Sequence, residues 1–122
     1  MSKNPDLIFP SNSKFQSVFE LIKSNYHQSI SLKNIAEELS YSPAYLTTEL
    51  KKHTGKTINS WINEYRISVA CKELLETDKL IEIIANEVGY QSTDYFFRQF
   101  RRHHSTTPHV LRKQQRKEQV VA

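Results

Sequence analysis

"IAEELSYSPAYLTTELKKHTGKT" (35–57) and "IANEVGYQSTDYFFRQFRRHHSTT" (84–107) are two versions of one pattern. "IAEELSYS" (35–42) aligns with "IANEVGYQ" (84–91) at an offset of 49. "YLTTELKKHTGKT" (45–57) aligns with "YFFRQFRRHHSTT" (95–107) at an offset of 50. Tyr45 thus pairs with Tyr95, Leu46 with Phe96, Leu50 with Phe100, Lys51 with Arg101, Lys52 with Arg102 and His53 with His103. One residue is inserted between the two blocks. Apolar residues recur at helical spacing in both blocks, with a break between them in each copy.

Each copy therefore reads as a short helix, a tight turn and a second helix, the layout of a helix-turn-helix. Ser42 before Pro43 is a start signal, a cap ahead of a first-turn proline. Ser92 is the corresponding cap in the second copy. The second helix carries a conflict there: Phe96, Phe97 and Phe100 favour burial, whereas Arg98, Arg101 and Arg102 favour water or a polyanion. Stepping about 100° per residue resolves it. Phe96, Phe100 and His103 form one stripe; Asp94, Arg98, Arg101 and Arg102 point away from it; Phe97 sits on the shoulder. In the first copy Leu46 and Leu50 turn in, Ala44, Thr48, Lys51 and Lys52 turn out, and Thr47 takes the shoulder.

Outside the repeat the chain is also helical in character. It holds 122 residues with two glycines and four prolines, and 38% are hydrophobic. An all-α protein of seven helices is expected, with two helix-turn-helix subdomains joined by a long linker helix. The organisation reads as a polar, flexible leader or interdomain linker (1–13), a first subdomain (14–56), the linker helix (57–77), a second subdomain (78–115) and a polar tail (116–122). A linker of about 20 residues spans roughly 30 Å. Successive major-groove faces of B-DNA repeat at about 34 Å. One stiff helix can thus hold two heads near one turn apart on one side of a duplex, which suits an asymmetric site.

The net charge is +4, and the excess is local: residues 95–117 carry seven Arg and Lys and no Asp or Glu. An acidic partner is favoured. No run of about 18 apolar residues is present, so no membrane helix is expected, and no signal peptide is visible. The lone Cys71 excludes an internal disulfide and is compatible with a reducing cytosol. The histidines His27, His53, His103, His104 and His109 lack metal-ligand spacing. With no phosphate-binding glycine loop, no clustered acid pair and no nucleophile–base arrangement, no catalytic residue and no cofactor are assigned.

The repeats, together with "R…A…LL" as Arg66, Ala70, Leu74 and Leu75 and the final "TTPHVLR", resemble the DNA-binding domain of the AraC/XylS family of bacterial transcription regulators over residues 14–113. The resemblance implies sequence-specific binding of double-stranded DNA in the cytoplasm by two heads. It maps base-facing positions onto Ala44, Thr47 and Thr48 in the first head and onto Thr93, Asp94, Phe97 and Arg98 in the second. Ser105 stands where the family usually has Gly, Leu111 where an aromatic is usual, and Leu50 where Phe is commoner.

Arg98 is expected to read guanine N7 and O6 with two parallel bonds. Asp94 can accept from a cytosine amino group or orient Arg98 one turn on; the pairing is favoured. Phe97 can meet a thymine methyl or pack on the neighbouring helix. Lys51, Arg101 and Arg102 suit phosphate contacts. Ser31, Thr57 and Thr107 cap helices whose free N–H groups also suit phosphates. Arg112, Lys113, Arg116 and Lys117 are candidates for sequence-blind attraction or a frayed tail. Trp61 and Tyr65 are expected to pack the linker on the first head. RNA polymerase is a candidate second partner, and a small-molecule effector would bind a domain outside this chain. The favoured setting is the C-terminal part of a longer regulator; a stand-alone regulator is the other. The competing class is a basic helical adaptor that binds RNA or acidic proteins without sequence choice.

Overall fold

The computed structural model describes residues 4–11 and 13–121, the last three by backbone alone; the expected leader's residues 1–3 and 12 and the tail's last residue lie outside it. Within this range seven α-helices follow a short 3-10 turn, Pro5–Ile8. They are α1 (Gln16–Asn25), α2 (Leu32–Glu38), α3 (Pro43–Thr54), α4 (Ile58–Glu76), α5 (Ile81–Glu87), α6 (Thr93–His104) and α7 (Pro108–Val121).

Side-chain caps decide where most of them start. Ser42 Oγ accepts from the Tyr45 amide at 3.1 Å and Ser92 Oγ from the Tyr95 amide at 3.2 Å, so the recognition-type helices α3 and α6 begin alike. Ser31, Thr57 and Thr107 accept from Asn34, Ser60 and Val110 in the same way. Each bond satisfies an amide that the helix itself leaves free. α3 and α6 also end alike: the next residue, Gly55 or Ser105, turns left-handed and donates its amide back to Lys51 or Arg101.

Two hydrophobic cores lie on the two halves of α4. Phe15, Val18, Phe19, Ile22, Leu46 and Leu50 gather around Ile58, Trp61, Ile62 and Tyr65. Ile81, Ile84, Val88, Tyr90, Phe96 and Phe100 gather around Ile67, Ala70 and Leu74. At 100° per residue the two sets on α4 point about 160° apart. The rod thus buries one side in its first half and nearly the opposite side in its second. That switch is what lets one helix carry two separate heads.

Three expectations are corrected. Residues 4–11 are not a loose leader: Phe9 lies among Phe19, Tyr65 and Trp61, with ring centroids 4.8, 5.2 and 5.6 Å away. Asp6 accepts a bond from the Tyr65 hydroxyl at 2.7 Å. Stacked aromatic neighbours thus take up the Phe9 ring. The tail does not leave the helix at 116, because α7 continues to Val121. Its Arg112 folds back on the end of α4, donating to Leu74 O at 2.9 Å, Lys79 O at 2.7 Å and Thr77 O at 3.2 Å. Arg116 donates to Thr77 O and pairs with Asp78. Finally, His103 is exposed rather than part of the buried stripe, and the His104 ring packs on Phe100 instead, 4.7 Å away. The His103 ring turns back along its own helix, with Nδ1 2.8 Å from Gln99 O.

Candidate nucleic-acid interface

α3 and α6 each bury one stripe and turn the other outward. On α3, Leu46 and Leu50 are fully buried, while Ala44, Thr47, Thr48 and Lys51 are exposed. Lys51 Nζ donates to Gly55 O at 3.1 Å, which leaves two of its protons free for an anion. On α6, Phe96 and Phe100 are buried, while Asp94, Arg98, Arg101 and Arg102 are exposed. Thr93 and Phe97 are half-buried. Phe97 belongs to the packing around the second core, with its ring 5.7 Å from Phe96 and 6.3 Å from His109.

Arg98 is held differently from the expected pairing. Its guanidinium lies over the Tyr95 ring, 5.7 Å from the centroid. Among the described residues no ion pair joins it to Asp94. The flat ring beside it offers a face that leaves every N–H of the fork free, whereas a carboxylate would occupy two of them. Asp94 keeps its acceptor oxygens for another donor. Arg101 and Arg102 likewise have no carboxylate partner among the described residues. Burial against Phe100 and the neighbouring His103 both lower the His104 pKa.

Between the first half of α4 and α6 lies a polar cleft of about 370 Å³, lined among others by Asn59, Ser60, Asn63, Gln99 and Arg102. Its one acid, Glu64, is taken by Lys56. The sequence reading gave these amides no role. The only signal for them was a run of short polar residues on the outer side of α4.

Arg112 and Arg116 leave the list of free cations, since both serve backbone carbonyls of the α4 end. Ser31, Thr57 and Thr107 cap their helices and are respectively exposed, exposed and half-buried.

Two helix-turn-helix units on one shared rod, each with an outward polar face on its second helix, define a two-headed DNA-binding domain. The model described as "Helix-turn-helix domain" matches residues 35–114. The regulatory protein SoxS of Salmonella typhimurium is 32% identical over 93 residues, covering 76% of this chain and 87% of SoxS. PocR of the same organism is 30% identical over 105 residues, covering 86% of this chain and 35% of PocR. Among solved structures, the C-terminal domain of AraT, a response regulator from Geobacillus stearothermophilus, superposes with a TM-score of 0.80 at 27% identity, covering 86% of this chain and 88% of that one. The chain belongs to the AraC/XylS family. It spans about a third, or less, of the first curated relatives it matches.

Proposed function

We propose that this chain is the part of a bacterial transcription regulator that reads an asymmetric duplex site, one head in each of two successive major grooves. The observation that carries the reading is the duplicated split of faces: α3 and α6 each bury two large apolar residues and expose polar or small ones on the other side, Ala44, Thr47 and Thr48 on α3 and Asp94 and Arg98 on α6. In the first head Ala44, Thr47 and Thr48 meet base edges or thymine methyls. In the second, Arg98 reads a guanine, Asp94 accepts from a cytosine amino group, Thr93 adds a hydrogen bond, and the open edge of Phe97 meets a methyl. Lys51, Arg101 and Arg102 neutralise phosphates. The amides at the helix starts capped by Ser31, Thr57 and Thr107 add backbone contacts. Sequence choice rests more on the second head, because the first offers small side chains with little base preference.

In the intact regulator, contact with RNA polymerase and any effector-binding domain are further parts of this reading, set in the cytoplasm. Selection of duplexes from a random library tests it. The expected outcome is one site longer than a single half-site, which competes about a thousandfold better than bulk DNA. Binding that selects nothing, or that prefers RNA or an acidic protein, supports the adaptor reading instead.

A further inference from the structure

The alignment of the two copies places Ser40 opposite Gly89, in the turn between the two helices of each head. Both take a left-handed backbone, with φ of 60° and 107°. Ser40 shows that this turn tolerates a side chain. Gly89 lies where one does not fit: a Cβ built on it would be 2.5 Å from the backbone oxygen of Tyr26 and 2.9 Å from Arg66 Nε. The glycine therefore answers to a close approach as well as to φ. What approaches it is the other head.

Arg66 sits at the middle of this contact. Its Nε donates to Tyr26 O at 2.8 Å and its Nη2 to Gln28 O at 2.8 Å, both at the end of α1 in the first head. Its guanidinium lies over the ring of Tyr90 in the second head, 5.5 Å from the centroid. The Tyr90 hydroxyl donates to Asn63 Oδ1 at 2.8 Å, and Asn63 Nδ2 donates to the hydroxyl of Tyr95, at the start of α6, at 3.3 Å. Tyr26 packs against both cores. The aligned arginine of the second copy, Arg116, also serves a backbone oxygen of the preceding helix end, Thr77 O, at 3.3 Å. Capping is thus common to both copies. Reaching a second head is the addition that Arg66 makes.

We propose that Arg66 and Gly89 form a clasp between the heads that fixes the angle of α6 relative to α3, and so selects the spacing between the two half-sites on DNA. Arg66 is a positioning residue in this scheme, and the scheme rests on the two-headed reading above. Each base pair added between half-sites rotates the second by about 35° and moves it by roughly 3.4 Å. A rod alone can flex or twist to follow; a rod braced to both heads resists.

The test uses the full chain and duplexes carrying the selected site with zero, one or two base pairs added or removed between its halves. Wild type is expected to prefer one spacing over its neighbours by about tenfold, the size of a one-base-pair mismatch effect. Arg66→Gln and Gly89→Ala are expected to bring neighbouring spacings within about threefold of each other, with binding to an isolated half-site unchanged. Arg66→Lys keeps the charge but offers one donor nitrogen in place of the two-nitrogen fork, and is expected to fall between. Arg116→Gln, which removes a cap but no bridge, is expected to keep the wild-type preference. If the two main variants do not fold, Arg66→Lys and Tyr90→Phe decide by the same comparison. Folded variants that keep the wild-type preference overturn the clasp and leave two-headed reading intact. A wild type that binds neighbouring spacings equally also overturns the clasp; two-headed reading itself falls only if a duplex lacking one half-site binds as well as the full site.

Discussion

Ser105 closes α6 with the same left-handed backbone, φ 56°, that Gly55 uses to close α3, φ 77°. A serine there bears a Cβ penalty that glycine does not. Ser105→Gly is therefore expected to raise unfolding stability by about 1 kcal/mol. Urea unfolding monitored by circular dichroism measures it, and a loss of stability would show that the serine makes an interaction that outweighs its strain.

Arg98 rests on Tyr95 with its whole fork free. Arg98→Ala is expected to weaken binding to the preferred duplex by about 1–3 kcal/mol and to relax choice at one base pair. Titrations against the site and its three variants at that pair read this out. Equal weakening on every duplex would make it a phosphate contact.

Arg101 lies one turn nearer the end of α6, exposed and without a carboxylate partner among the described residues. Arg101→Ala is expected to weaken all duplexes alike and to lower the slope of log K against log salt by about one. A loss confined to one sequence would contradict the phosphate role.

Arg112 has the opposite expected signature, because its three bonds go to carbonyls at the end of α4. Losing them leaves helix-end acceptors without donors. Arg112→Gln is expected to cost about 1–3 kcal/mol in unfolding stability, with the salt slope for DNA unchanged. A changed slope in a protein of unchanged stability would return Arg112 to the DNA face.

Phe9 is stacked on Phe19 and Tyr65 at the edge of the first core. Phe9→Ala is expected to destabilise that head by about 2–3 kcal/mol, below the usual range for a fully buried phenylalanine because Phe9 keeps one side open. A change under about 0.5 kcal/mol in urea unfolding would mean that the segment before α1 adds nothing to the core.

Much of this molecule is legible from spacing. The period of Leu46, Leu50, Phe96 and Phe100 told which face of α3 and α6 would be buried, and the caps Ser42, Ser92 and Thr57 told where helices start. Both are local: a helix's own geometry decides which residues share a face and which amides lack partners. The exposure of Ala44, Thr48, Asp94 and Arg98 followed from the same wheel. Arg98's stacking on Tyr95 did not, because an i, i+4 acid and an i, i+3 ring are both within reach and spacing does not rank them.

By itself, then, the order of residues determined two copies of a helix pair, their outward faces and the long helix between them, since each depends on neighbours within a turn or two. Only the tertiary structure decided how the copies meet. The docking of Phe9, the return of Arg112 to α4, and the approach of Gly89 to Tyr26 join residues far apart in the chain. Such contacts depend on which surfaces the packed helices bring together, and no periodicity along the chain encodes that.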